Sequence, residues 1–300
     1  MTHTPRLFVP LITPFAEDLS VDLPRLIAVA RRMLDDGADG LAPFGTTSEA
    51  TSMSVDERIE ALDALVAAGI DPGCLIPGTG CAALPDTIRL TKHAVALGVR
   101  GTLTLPPFFY KSLSEDGVFA SYARMIEAVG PGLRLFLYHI PQMSGVPITV
   151  DLIGRLMREF PGVVAGLKDS SGNWDNTAAI IAAFPQIETY SASEALLAKN
   201  VAAGGAGCIS ASANVNAHGI AALIRGLGTA DEAALLADAS AIRSLCEKLP
   251  LIPGVKAIVA RRMNDEGYAR VRPPLVAAGQ DHSVAVSKVA ALCYGESASV

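Results

Sequence analysis

Val163-Val164-Ala165-Gly166-Leu167-Lys168 is an apolar run that ends on a lysine and gives way at once to the turn formers Asp169-Ser170-Ser171-Gly172-Asn173. A short apolar run closed by turn residues is the pattern of a strand buried on both faces, as in a parallel sheet. Seven similar runs flank it: Leu7 to Ile12, Gly40 to Pro43, Cys74 to Gly78, Gly101 to Leu105, Arg134 to Tyr138, Ile187 to Tyr190 and Gly207 to Ser210. Amphipathic stretches separate them, so the chain reads as repeated βα units. Eight units predict an α/β fold of the (β/α)8 TIM-barrel type, which needs about 200 to 250 residues. That assigns 1–228 to the barrel and leaves 229–300 as a C-terminal helical extension. A doubly wound open sheet with a separate helical domain fits the same periodicity, because alternation does not show whether a sheet closes.

Local punctuation supports the helices. Asp22 followed by Pro24 opens the first, and Gly37 stands where a left-handed C-cap is wanted. Ser54 to Glu57 (SVDE) reads as a capping box, and Thr229 to Glu232 (TADE) as a second one opening the extension, where Leu235, Leu236, Ile242 and Leu245 recur at helical spacing. After the fourth run, Val118, Phe119, Tyr122, Met125, Ile126 and Val129 make one apolar face that suits a helix lying on a sheet.

Composition narrows the function. Of 300 residues, 50% are hydrophobic and 18% charged, and the net charge is -6. No stripe of Lys and Arg is present, so neither nucleic acid nor an anionic membrane is the expected partner. Five widely spaced cysteines form no C-x-x-C pair, and the five histidines form no H-E-x-x-H, so no metal site is expected and a reducing cytoplasm fits. No apolar run reaches the ~18 residues of a membrane span, and the N-terminal segment lacks the regions of a signal peptide. Pro77-Gly78-Thr79-Gly80 and Gly204-Gly205-Ala206-Gly207 match no phosphate-binding fingerprint and read as tight turns.

In a barrel, reactive groups belong at the C-terminal ends of strands. Lys168 ends its run, and alternation places it on one face with Val164 and Gly166, the glycine leaving room beneath a long side chain. A solvated strand-end lysine fits equally well; a buried one is disfavoured as ammonium, and only the neutral amine attacks a ketone. Gly45-Thr46-Thr47-Ser48-Glu49 offers amides and hydroxyls to a carboxylate, although an ordinary Thr/Ser-rich loop has the same composition. Tyr138 ends the fifth run and is either a packing residue or a proton shuttle. His139 follows it, facing the mouth or held in a structural hydrogen bond.

GTTSE, PGTG, YHIP, GLKDSSGN and GGAGCIS occur in order at the ends of predicted strands, and together they resemble the dihydrodipicolinate synthase and N-acetylneuraminate lyase family. The resemblance covers nearly the whole chain. It implies a TIM barrel with a C-terminal helical region, usually a tetramer, that joins pyruvate to an aldehyde or splits it off through a lysine Schiff base with no other cofactor. Carried onto this chain, it makes Lys168 the Schiff-base lysine and Tyr138 the proton shuttle relayed through Thr47. Thr46 and Thr47 become the carboxylate-binding pair, with Ser48 beside them, and Gly207 and Ile209 line the pyruvate pocket. His139, Phe109 and Met143 are carried as further substrate-binding positions. Phe109 stands where dihydrodipicolinate synthase has a tyrosine, which Tyr110 supplies only by a one-residue shift. Met143 stands where that enzyme has an arginine, and Ser48 where relatives often have glycine. A thioether forms no charge-assisted pair with a carboxylate. The expected activity is therefore an aldolase or lyase on a 2-keto-3-deoxy sugar acid or related keto acid, in a homo-oligomer (tetramer or dimer). The alternatives are 4-hydroxy-tetrahydrodipicolinate synthase, a keto-deoxy sugar acid dehydratase, or a keto-acid-binding barrel without turnover.

Overall fold

A computed structural model describes residues 3–294; residues 295–300 of the expected extension, and the first two of the N-terminal segment, lie outside it. Its strands are β1 (Arg6–Val9), β2 (Gly40–Leu41), β3 (Thr102–Thr104), β4 (Leu135–His139), β5 (Val164–Asp169), β6 (Glu188–Ser191) and β7 (Gly207–Cys208). The pairings β1–β2, β3–β4, β4–β5, β5–β6 and β6–β7 are all parallel, and helices separate the strands, so the chain is an α/β protein. Two compact units carry these elements, one from 3–6 and 71–209 and the other from 7–70 and 210–294.

The first unit holds β3 to β7 in the spatial order β7-β6-β5-β4-β3. Its core is the helix-facing side of that sheet. Val118, Tyr122, Met125 and Ile126 of helix Glu115–Val129 pack with Leu135, Leu137, Leu152, Leu156, Leu167 and Ile180, and Phe119 and Val129 join from the edge. The expected apolar helix face is thus the buried one. The run Cys74 to Gly78 departs from expectation. Pro72–Cys74 is a 3-10 turn tied by the Asp71 carboxylate, which accepts from the Gly73 N–H, and only a parallel bridge, Gly78 to Leu103, remains. The Pro77 carbonyl accepts from the Leu103 N–H at 2.9 Å and the Thr79 N–H donates to the Leu103 carbonyl at 3.0 Å, but Pro77 has no N–H with which to extend this ladder toward its N-terminal side.

The second unit contains the β1–β2 pairing and six helices: Leu23–Asp35, Val55–Ala67, Ala213–Gly226, Glu232–Cys246, Leu251–Met263 and Ser283–Tyr294. Asp22 caps the first through the Arg25 N–H, and Gly37, at φ +95, closes it with the paired bonds Gly37 N–H to Leu34 O and Ala38 N–H to Met33 O. Ser54 and Glu57 form the reciprocal capping box as read. Thr229 and Glu232 do not. Thr229 accepts from Asp231, two residues on, and the Glu232 carboxylate reaches back to the Gly228 N–H, so the helix starts without a side-chain cap. In that helix Ile242 is buried, while Leu235, Leu236 and Leu245 are half-buried.

No helix among the described residues is long and apolar enough to cross a membrane.

Candidate active site

Strand register brings the reactive groups of the first unit together. Tyr138 on β4 lies opposite Lys168 on β5, and Lys168 lies opposite Tyr190 on β6. Lys168 Nζ is 3.3 Å from the Tyr138 phenol oxygen and 4.5 Å from the centre of its ring. Both side chains are sealed, at 4% and 3% exposed. Among the described residues no carboxylate pairs with Lys168. A buried primary amine whose neighbour is a phenol is suited to attack a carbonyl and to have protons moved beside it.

The floor beneath Lys168 differs from the expected one. The ladder slips by one residue where Leu135 pairs with Val164 and Phe136 with Gly166, so alternation breaks and Val164 joins the helix-facing core with Leu167. Gly166 does face the Lys168 side, but the room it leaves is filled by the Phe136 ring: a Cβ there would stand 2.5 Å from that ring and 2.5 Å from the Glu188 carbonyl. Gly101 makes the same allowance on the other side of the ring, at 2.6 Å. Phe136 and Tyr190, with ring centres 6.3 Å apart, then close the floor. The Tyr190 hydroxyl donates to Glu188 at 2.6 Å, and Arg100 grips both oxygens of that carboxylate at 2.8 Å. Burial pushes the Glu188 carboxyl up, but the Arg100 and Tyr190 hydrogen bonds and the nearby guanidiniums outweigh it and hold it below the usual range.

The neighbours in sequence do other work. His139 lies across the strand from Tyr138, its Nδ1 accepting from the Ile148 N–H at 3.0 Å, which places the ring proton on Nε2. Burial lowers its pKa, opposed by Asp169, so the ring serves as a neutral structural acceptor. Asp169 accepts from the Ser171 N–H, the Asn176 amide and the Thr177 hydroxyl at 2.8 to 2.9 Å, anchoring the turn that follows Lys168. That role was legible as an Asp two residues before a serine in a turn string, and the sequence reading passed over it.

Phe109 and Met143, expected at the substrate, are 73% and 60% exposed on the loops after β3 and β4. Lys111 ties those loops together, donating to the Phe108 carbonyl at 2.5 Å and the Ser144 carbonyl at 2.9 Å. Gly207, at φ +121, lets the Arg6 carbonyl approach where a Cβ would sit at 2.1 Å. Ile209 is fully buried beyond it.

In the second unit, Thr46 is half-buried and Thr47 buried in the loop after β2. Ser48 is committed within that loop, its hydroxyl donating to the Leu11 carbonyl at 2.5 Å and accepting from the Gly45 N–H at 3.2 Å. Among the described residues no three of His, Cys, Asp and Glu gather as metal ligands.

The chain is similar to known proteins along nearly its whole length. The model of the dihydrodipicolinate synthetase family matches residues 3–292. An uncharacterised DapA-like lyase of Chloroflexus aurantiacus is 38% identical over 249 residues, 82% of this chain and 83% of that protein. A 4-hydroxy-tetrahydrodipicolinate synthase of a Synechococcus species is 31% identical over 288 residues, 95% of this chain and 94% of its own. The crystal structure of dihydrodipicolinate synthase from Agrobacterium tumefaciens superimposes with a TM-score of 0.86 at 32% identity, covering 96% of this chain and 99% of that one.

Proposed function

Since the chain belongs to the dihydrodipicolinate synthetase family, whose members are class I pyruvate-dependent lyases and aldolases acting through a lysine Schiff base, we propose that Lys168 is its Schiff-base lysine. The observation that carries this reading is a lysine 4% exposed whose Nζ has a phenol, at 3.3 Å, as its hydrogen-bond partner. Neutral Lys168 Nζ adds to the C2 carbonyl of pyruvate; water leaves, and the protonated imine draws electrons from C3. Loss of a C3 proton gives the enamine that adds to an aldehyde, and the reverse course releases one. Tyr138 stands where those protons are exchanged. The family resemblance, rather than measured geometry, assigns Thr46 and Thr47 to the keto-acid carboxylate, Thr47 to the proton relay, and Gly207 and Ile209 to the pyruvate pocket. The same reading takes the parallel strands as a (β/α)8 barrel over 1–228 with 229–300 as its helical extension, in a cytoplasmic homo-oligomer.

The reading of the second substrate rests on two positions carried over by the resemblance. Phe109 and Met143 supply no phenol and no cation, which favours an aldehyde from a 2-keto-3-deoxy sugar acid over aspartate semialdehyde. The synthase relatives at 31 and 32% identity keep 4-hydroxy-tetrahydrodipicolinate synthase as the named alternative. Incubation with pyruvate and sodium borohydride is expected to leave one stable adduct per chain by intact mass, and none in Lys168→Ala. A folded native protein without an adduct removes the mechanism. Turnover with aspartate semialdehyde, and none with keto-deoxy sugar acids, reverses the choice of substrate.

A further inference from the structure

Loop 45–48 is bracketed by two non-glycine residues in the left-handed region, Phe44 at φ +62 and Glu49 at φ +57. Phenylalanine is rarely found there, and such backbone persists only where the surroundings over-determine it. For Glu49 the surroundings are explicit. Its Oε1 takes the Lys256 ammonium at 2.5 Å and its Oε2 the Arg272 N–H at 2.9 Å, while its own N–H donates to the Thr46 carbonyl at 3.1 Å. Both members of the Glu49–Lys256 pair are 0% exposed, and the ammonium also lies 4.4 Å from the Phe15 ring. Arg272, over the other contact of the same ring at 4.5 Å, is itself held by Glu57 and by the carbonyls of Leu19 and Ser52.

A fully buried ion pair contributes little net stability, because the desolvation of both ions offsets their attraction. What it does supply is a fixed position, since each charge has one low-energy place to be. We infer that Glu49 is a positioning residue: anchored by Lys256 and the Arg272 amide, it holds loop 45–48 in the backbone shape that presents Thr46 and Thr47 to a keto-acid carboxylate. This rests on the role proposed above for those threonines. Neither Glu49 nor Lys256 touches substrate in this account; they act through the loop.

The test is exchange of the pyruvate methyl protons in deuterium oxide, followed by proton NMR, which needs no second substrate. Glu49→Gln keeps the side-chain volume and an acceptor for Arg272 but removes the attraction for Lys256. Its KM for pyruvate is expected to rise at least tenfold, with kcat within threefold of the native value and a full borohydride adduct at saturating pyruvate. A KM within twofold of native, whatever happens to the melting temperature, reduces the pair to a brace and overturns the inference. If Glu49→Gln does not fold, the uncharged pair Glu49→Leu with Lys256→Met decides: raised KM supports positioning by charge, and native KM overturns it. A native protein with neither adduct nor exchange overturns the Schiff-base reading and this inference with it. An adduct with unchanged KM overturns this inference alone.

Discussion

Lys168 and Lys256 are both sealed from solvent, one on a strand of the first unit and the other on helix Leu251–Met263 of the second. Lys256 faces a carboxylate whose other oxygen accepts from the Arg272 N–H; Lys168 faces a phenol and the floor of two aromatic rings. Burial alone therefore says little about what a lysine does. A counter-ion turns a buried ammonium into an anchor, while a neutral neighbour that carries a proton leaves the lysine nitrogen uncommitted to an ion pair.

The comparison is broken most severely at Tyr138. Tyr138→Phe is expected to lower kcat for pyruvate methyl exchange by about 100- to 10,000-fold, the usual range for a lost acid–base group, while still yielding some borohydride adduct. A loss below fivefold would make the phenol a packing group.

Next in size is Lys256→Met, which leaves the Glu49 carboxylate buried and unpaired. Denaturant unfolding should show a loss of about 3 to 5 kcal/mol, most of it recovered when Glu49→Leu is added. This pair also has a pH signature. Burial pushes the Lys256 ammonium down to about 8, with Glu49 pulling it up and Arg272 pushing it further down. The unfolded chain then binds the extra proton between about 8 and the ordinary 10.5, so this group makes stability rise with pH across that window. Lys256→Met should lack that rise; an identical slope in both proteins would show that Lys256 is not depressed.

The smallest effect belongs to the floor. Gly166→Ala pushes a Cβ into the Phe136 ring and the Glu188 carbonyl, a cost of about 1 to 3 kcal/mol, visible as a lower melting temperature. If the glycine only made room for the Lys168 stem, as its place in the strand suggests, exchange kinetics would suffer and the melting temperature would not.

These contrasts show where reading from sequence works. The Ser54 box and the Gly37 cap were legible because each acts within five residues, and the apolar face of helix Glu115–Val129 because its period is local. Thr229 to Glu232 matched the same motif and formed different bonds, Thr229 accepting from the Asp231 N–H and Glu232 from the Gly228 N–H. The expected third strand shrank to a bridge at Gly78, next to a proline that cannot extend it, and Val164 changed faces at a slip in the β4–β5 ladder, which strict alternation does not foresee. The Ser48 hydroxyl, expected beside the substrate, bonds the Leu11 carbonyl and the Gly45 N–H, and the first of these partners lies 37 residues away, out of reach of local reading.

By itself the sequence determined the alternation of strands and helices, the approximate place of the strands that form, the lysine near the end of a buried strand, and the family those motifs belong to. Local propensity, side-chain period and capping are properties of a few neighbouring residues, so they survive without coordinates. Tertiary structure decided which polar groups meet. Lys168 finds Tyr138 30 residues away and Lys256 finds Glu49 207 residues away, and nothing in either neighbourhood announces its partner. Desolvation, counter-charge and the choice between anchor and nucleophile arise only when such distant residues are packed against each other, because each depends on what replaces water around the charge.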